Sequence, residues 1–291
     1  MTDGRAAGQT APLFTRPFVL AALANALLNF AAFLFVHLPG LLQELGAGEA
    51  QIGRIMAAQS AGAILTWPLL GRAMDVRGRR VVILAGVGLF IAVAALYPLV
   101  RSLGAHVYAL RVLDGAAVIM WYTALFTYAA DLVPPQRRTE GLALFGVSGL
   151  IPLGLGAQAG DVILASATYR ELFIVSVALA VAGFILCLPL RDLPHAADED
   201  RVPPRDLLVT AGERNLLPVW VAALAFFAGI AALFAFMKTF VSATAAGTVG
   251  GFFGPYAAVA VALRIFTGWL PDRVGPRRLL RSPITVCTRA W

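Results

Sequence analysis

Apolar and polar positions separate into long blocks along this chain. Eight mostly apolar stretches, at about 17–41, 51–71, 81–100, 105–130, 140–165, 169–190, 216–241 and 250–270, are divided by short charged segments. Each approaches the ~20 residues that a helix needs to cross the hydrocarbon of a bilayer. The runs are continuous and rich in Ala, Leu and Val, without the alternation of a barrel strand. Lipid offers backbone groups no hydrogen bonds, so runs of this kind predict helices. The pattern therefore predicts an all-α membrane protein. The first run is too long for a signal-peptide core and lacks a small-residue cleavage site, so it reads as a retained helix.

Composition strengthens this reading. The chain is 59% hydrophobic and 13% charged, against about 25% charged in soluble domains. Its net charge of +7 comes mainly from arginine. A basic chain suggests nucleic acid, but these arginines sit between apolar blocks and form no single basic face, which argues against that partner. Sixteen basic residues fall on one side of the predicted spans, among them Arg16, Arg72, Arg77, Arg79, Arg80, Arg137, Arg138 and Arg191. Four fall on the other: Arg54, Arg101, Arg170 and Lys238. Basic loops stay in the cytoplasm, so both termini are expected there, in a multi-pass protein of the inner (cytoplasmic) membrane. Cys187 and Cys287 form neither a disulfide framework nor a zinc spacing and read as packing residues. No metal or other cofactor is implied.

Organisation follows from the loops. A charged segment with Pro203-Pro204 divides the chain into a six-helix bundle at 1–190, a linker at 191–215, two further helices at 216–282, and a tail at 283–291. One motif occurs twice. Gly71-Arg-Ala-Met-Asp75-Val-Arg-Gly78-Arg79-Arg80 lies between spans two and three, and Gly268-Trp-Leu-Pro-Asp272-Arg273-Val-Gly275-Pro-Arg277-Arg278 follows span eight. Both fit G-x-x-x-D-x-x-G-x-R, and six spans separate them, as in a protein built from two repeated six-helix halves. The first glycine of each copy would let a neighbouring helix approach at the helix end. The second, Gly78 or Gly275, would take a positive φ in a tight turn. The aspartate at the membrane face would pair with arginine or face a helix N-terminus. Such a pair can clasp two bundles in one state and release them in another.

This doubled loop resembles the signature of the major facilitator superfamily. Gly71, Asp75, Gly78, Arg79 and Arg80 match it, Ala73 departs from its usual Leu, and Arg264, Leu270 and the second copy agree with it. Span four adds Arg111-Val-Leu-Asp114-Gly115, similar to the family's R-x-x-Q-G with Asp114 in place of Gln, and a junction Asp131-Leu-Val-Pro134-Pro135. The resemblance, over about residues 15–281, implies a helical bundle with about eight of the family's roughly twelve helices. It implies that Asp131 partners the loop Arg79, and that Arg111 is similar to an arginine involved in proton coupling.

Candidate substrate or proton groups are ionisable or polar residues within spans. Arg111 and Asp114, three apart, share one helix face; they are either a neutralised structural pair or a cavity site with Asp114 as proton carrier. Asn25, Asn29 and His37 form a polar stripe facing either the cavity or a neighbouring helix, with His37 near the end of its span, where exposure is common. Lys238 is expected to snorkel to the interface and Asp161 to be interfacial. Gly146, Gly149, Gly154, Gly156 and Gly160 favour close packing of span five. Trp67, Trp121 and Trp220 read as packing or belt residues.

The leading expectation is a secondary active transporter of a small molecule, working by alternating access, proton-coupled, with efflux suggested by overall likeness. Lipid and substrate are the partners; no nucleotide loop G-x-x-x-x-G-K-[ST] is present, so no nucleotide is expected. A rival expectation is a truncated, non-transporting fragment, because the chain ends where a ninth span would begin and ten residues make only ~15 Å of helix. A membrane-embedded enzyme is a remote alternative: no H-E-x-x-H or G-x-S-x-G occurs, and His37, His106 and His195 are widely spread.

Overall fold

The computed structural model describes residues 13–134, 137–192, 216–245 and 247–267, and all regular elements among them are helical. The first predicted span is three pieces: α1 (Arg16–Phe33), a 3-10 turn (Leu34–His37) and α2 (Leu38–Glu44). Thr15 caps α1, and Pro17 sits in its first turn, where a missing N–H costs nothing. Pro39 opens α2; it has no N–H to continue the ladder, which breaks the expected single helix into a tightened turn. Next come α3 (Glu49–Arg77), α4 (Arg79–Leu96), a short 3-10 turn, and α5 (Ala105–Leu132). Val133, which precedes Pro134, is extended and ends α5. Then follow α6 (Arg138–Ser166), α7 (Tyr169–Cys187), α8 (Leu217–Thr244) and α9 (Val249–Thr267).

Seven of these helical segments are long and apolar enough to cross a membrane, counting Arg16–Glu44 as one. Eight spans were expected; the difference is α3. Its 29 residues are ample in length, but Gln51, Arg54, Gln59 and Ser60 dilute its apolar character. α3 is held by close contact with α5. A Cβ on Gly62 of α3 would come within 2.7 Å of the Val112 carbonyl carbon, and one on Gly115 of α5 within 2.7 Å of that of Gln59. The two backbones touch through this reciprocal pair of glycines.

The main apolar core unites α1, α3, α4, α5 and α7 around Leu28, Phe35, Phe90, Trp121 and Phe173. A second, smaller cluster joins Leu153 and Ala157 of α6 to Val249, Phe253 and Ala257 of α9, with Val36. There Gly154 lets the two helices close: an added Cβ would meet Gly254 Cα at 3.2 Å. α8 lies at the periphery, and Leu224, Phe226 and Phe227 are exposed, as are Trp67 and Trp220. Such surfaces suit lipid. The expected linker from 193 onward and the tail lie outside the described residues.

Candidate functional site

A cavity of about 420 Å³ lies among α1, α3, α5, α6, α8 and α9. Its lining combines aromatic residues (Phe33, Tyr122, Phe126, Phe234) with polar ones (Asn25, Asn29, Gln59, Arg111). Concave, mostly apolar pockets with a few convergent polar groups are the usual form of small-molecule sites.

The polar residues are ordered by two networks. In the first, Arg111 Nη1 donates to Asp114 Oδ2 at 2.6 Å and Arg111 Nη2 donates to Gln59 Oε1 at 2.6 Å. Gln59 Nε2 donates to Asp114 Oδ2 at 3.1 Å, closing the triad. The two charged side chains are 1% and 2% exposed. Asp114 Oδ1 is buried without a hydrogen-bond partner among the described residues, and the buried Tyr97 hydroxyl lies within interacting distance of Arg111. Burial of that kind is tolerated only because opposite charges and Gln59 compensate most of each other's polarity. Arg111 faces the cavity, and Asp114 is packed behind it. In the second network, Asn25 Nδ2 donates to Ser148 Oγ of α6 at 2.8 Å, and Asn29 Nδ2 donates to Asn25 Oδ1 at 3.0 Å. The α1 stripe therefore does both things open to it: it bonds a neighbouring helix and lines the cavity.

His37 departs from expectation. It is fully buried, not exposed near a span end, and its Nε2 lies 3.1 Å from Asp161 Oδ1. Asp161 Oδ2 accepts the backbone N–H of Gly250 at 2.6 Å. Asp161 of α6 thus ties that helix to the 3-10 turn that follows α1 and to the first turn of α9. A carboxylate at a helix N-terminus is favoured by the free N–H groups there. Gly160 leaves room for the imidazole, since an added Cβ would lie 2.5 Å from Nδ1. Lys238 is half-buried and acts electrostatically on Asp161.

At the other end of α3, Gly78 turns the chain at φ 84°, a conformation that favours glycine. Arg79 forms an ion pair with Asp131 at the end of α5. The Arg80 backbone N–H donates to Asp192 Oδ1 at 2.8 Å, and its guanidinium donates to Leu188 O at 3.0 Å. A Cβ at Gly78 would also meet the Asp192 carboxylate at 2.7 Å, so a larger residue there would have to displace that side chain from the Arg80 N–H. Gly71 behaves differently from expectation. α3 continues six residues past it to Arg77, and nothing among the described residues lies near its Cβ position. It marks no helix end and no close approach here. Asp75 is exposed. Gly268, Asp272, Arg273, Gly275, Arg277 and Arg278 lie outside the described residues, whereas Arg264 lines the cavity. Gln59, Ser148 and the Asp161–Gly250 contact were missed in the sequence. Gln59 could have been found as an uncharged polar residue inside an apolar run.

The sequence profile of the Major Facilitator Superfamily matches residues 18–288. The chain belongs to this family of transporters and is a multi-pass membrane protein. It is 28% identical over 204 residues to the multidrug resistance protein MdtL of Klebsiella pneumoniae, covering 68% of this chain and 50% of that protein. To MdtL of Escherichia coli O81 it is 28% identical over 199 residues, covering 66% and 50%. The chain spans about half the length of these curated relatives. Its fold is similar to that of the human organic anion transporter MFSD10 (TETRAN), with TM-score 0.64 and 20% identity over 90% of this chain and 73% of that one. A D-xylose-proton symporter is similar at TM-score 0.58 and 15% identity, over 88% and 66%. At these identities the structural likeness speaks for the fold.

Proposed function

We propose that this chain is a secondary active transporter of a small molecule, moving it by alternating access in exchange for protons, with efflux as the direction. One observation carries the reading: a cavity large enough for a small organic molecule has a buried Arg111–Asp114–Gln59 triad in its wall. A proton carrier must couple to the occupant of the cavity, and Asp114 does so through Arg111. When a ligand draws Arg111 forward, Asp114 loses its counter-charge, and an isolated buried carboxylate is costly until protonated. Sixteen basic residues against four support a reading in which both ends of this chain face the cytoplasm. The Arg79–Asp131 pair then lies on the cytoplasmic face and the His37–Asp161–Gly250 contact on the outer one, so the two can serve as gates. The relatives' names as multidrug resistance proteins support an efflux direction.

The test is reconstitution of the full chain in vesicles with an imposed pH gradient and an internal pH dye. A panel of aromatic amphiphiles should include compounds whose movement is accompanied by proton flux above that of empty vesicles. Asp114→Asn should abolish the proton flux. If no compound moves above the empty-vesicle rate, the proposal fails.

A further inference from the structure

The cavity described above has a marked excess of hydrogen-bond donors. Arg264 of α9 and Arg111 of α5 both line it, and no carboxylate among the described residues does. Arg111 is compensated by Asp114 at 2.6 Å. Arg264 enters none of the ion pairs found among the described residues. Its guanidinium lies over the backbone of Gly146 in α6, where a side chain would occupy the same space, and it acts electrostatically on Tyr122. Gly146 therefore gives Arg264 its seat in the cavity wall. Arg264 is itself exposed along the chain's described surface, whereas Trp121 Nε1, on another lining residue, is buried and has no acceptor among the described residues; Trp121 is 0% exposed. Buried donors left unmatched are costly, and a ligand that supplies acceptors recovers that cost.

We propose that the cavity selects aromatic amphiphiles carrying one acidic group, with the anion on Arg264 and the ring among Tyr122, Phe126 and Phe234. This rests on the reading of the cavity as a transport site and specifies its substrate class. A planar guanidinium takes a carboxylate in two parallel hydrogen bonds. The aromatic lining residues offer ring faces and edges. An organic cation would meet Arg264 with like charge and find no carboxylate on the described wall.

The experiment uses the full chain in lipid nanodiscs and equilibrium dialysis, with binding to empty discs subtracted. The probes are naphthoate, naphthamide and naphthylmethylammonium, which share a ring system and differ in charge. Naphthoate should bind about tenfold more tightly than naphthamide, the scale of one charge-assisted hydrogen-bond pair, and naphthylmethylammonium should bind most weakly. Arg264→Gln should bring the ratio of naphthoate to naphthamide affinity down to about one, whatever its effect on naphthamide itself, while Arg264→Lys retains part of the preference. Equal or tighter binding of naphthylmethylammonium, an unchanged preference in Arg264→Gln, or no binding of any probe overturns the proposal. Should Arg264→Gln fail to fold, the order of the probes on the unaltered chain decides. No gradient is needed, so the two readings fail separately. Vesicles that show no coupled flux sink the transport reading while a naphthoate preference stands; coupled flux with no preference for the anion sinks this one.

Discussion

Replacing Asp114 by Asn tests the energetic account of the triad. Asp114 Oδ2 lies 2.6 Å from Arg111 Nη1, and both side chains are almost wholly buried. At a charge separation of about 4 Å and the effective dielectric that reproduces measured pairs, the attraction is ~4 kcal/mol. Removing one member of a buried pair costs about 3–5 kcal/mol, because the remaining charge is stranded. The partners are not equivalent. A guanidinium stays charged in proteins, whereas an isolated buried carboxyl can stay neutral. Asp114→Asn should therefore cost about 3–5 kcal/mol and Arg111→Gln clearly less. The double variant Arg111→Met with Asp114→Leu should return to within ~1 kcal/mol of the parent, since apolar replacement of a buried pair is often neutral. Reversible unfolding by SDS titration in mixed micelles gives these differences. A cost below ~1 kcal/mol for Asp114→Asn, or a greater cost for Arg111→Gln, refutes the reasoning.

Four other outcomes follow from the geometry. Gly115→Ala sets a methyl against the Gln59 carbonyl and should cost about 1–3 kcal/mol by overpacking in the same titration; parental stability would refute the backbone contact. Gly78→Ala meets both a φ of 84° and the Asp192 carboxylate and should cost at least ~1 kcal/mol, whereas an unaffected variant would remove the turn's steric role. Arg79→Gln and Asp131→Asn touch side chains 22% and 24% exposed, so stability should change by under ~1 kcal/mol while vesicle transport falls at least ~10-fold. The exchange Arg79→Asp with Asp131→Arg should restore transport if the pair acts as a clasp, and failure to restore it counts against that role. Asp161→Asn weakens the tie to His37 and Gly250. In a background lacking Cys187 and Cys287, a cysteine replacing buried Leu153 should then react with an impermeant thiol reagent about tenfold faster; an unchanged rate would show that Asp161 does not close that end.

The sequence made the helices legible because lipid imposes one simple requirement, a long apolar run, on each of them. It was least informative where a helix is stabilised by a neighbour. α3 reads poorly by hydropathy because Gln59 serves the triad and Gly62 serves the contact with α5. Gly78 and Arg79 could be picked out because their motif is local and repeated, whereas Asp131 was reached only through the family resemblance. Loop direction could not be, so the engagement of Arg80 by Asp192 was invisible across more than a hundred residues of chain. His37 and Asp161 were each legible as polar residues near span ends, but His37 was expected at an exposed position and is fully buried, and the contact between the two was not foreseen. Their partnership is a property of helix packing, which periodicity within one helix does not encode. Gly71 shows the reverse: the motif position was given a packing role, and no described residue packs against it.

The Arg111–Asp114 pairing within a single helix bears on how the protein enters the membrane. Each charge alone would oppose insertion of α5 by about 2.5–3.5 kcal/mol near the middle of a helix. Three residues apart on one face, they can neutralise each other as soon as the helix forms, before α3 arrives with Gln59. The least apolar of the seven segments that qualify as spans by length and composition thus brings its own counter-ion during biogenesis. Separating the two charges onto different helices would leave the assembled bundle much the same but make its synthesis depend on the order in which those helices leave the translocation machinery.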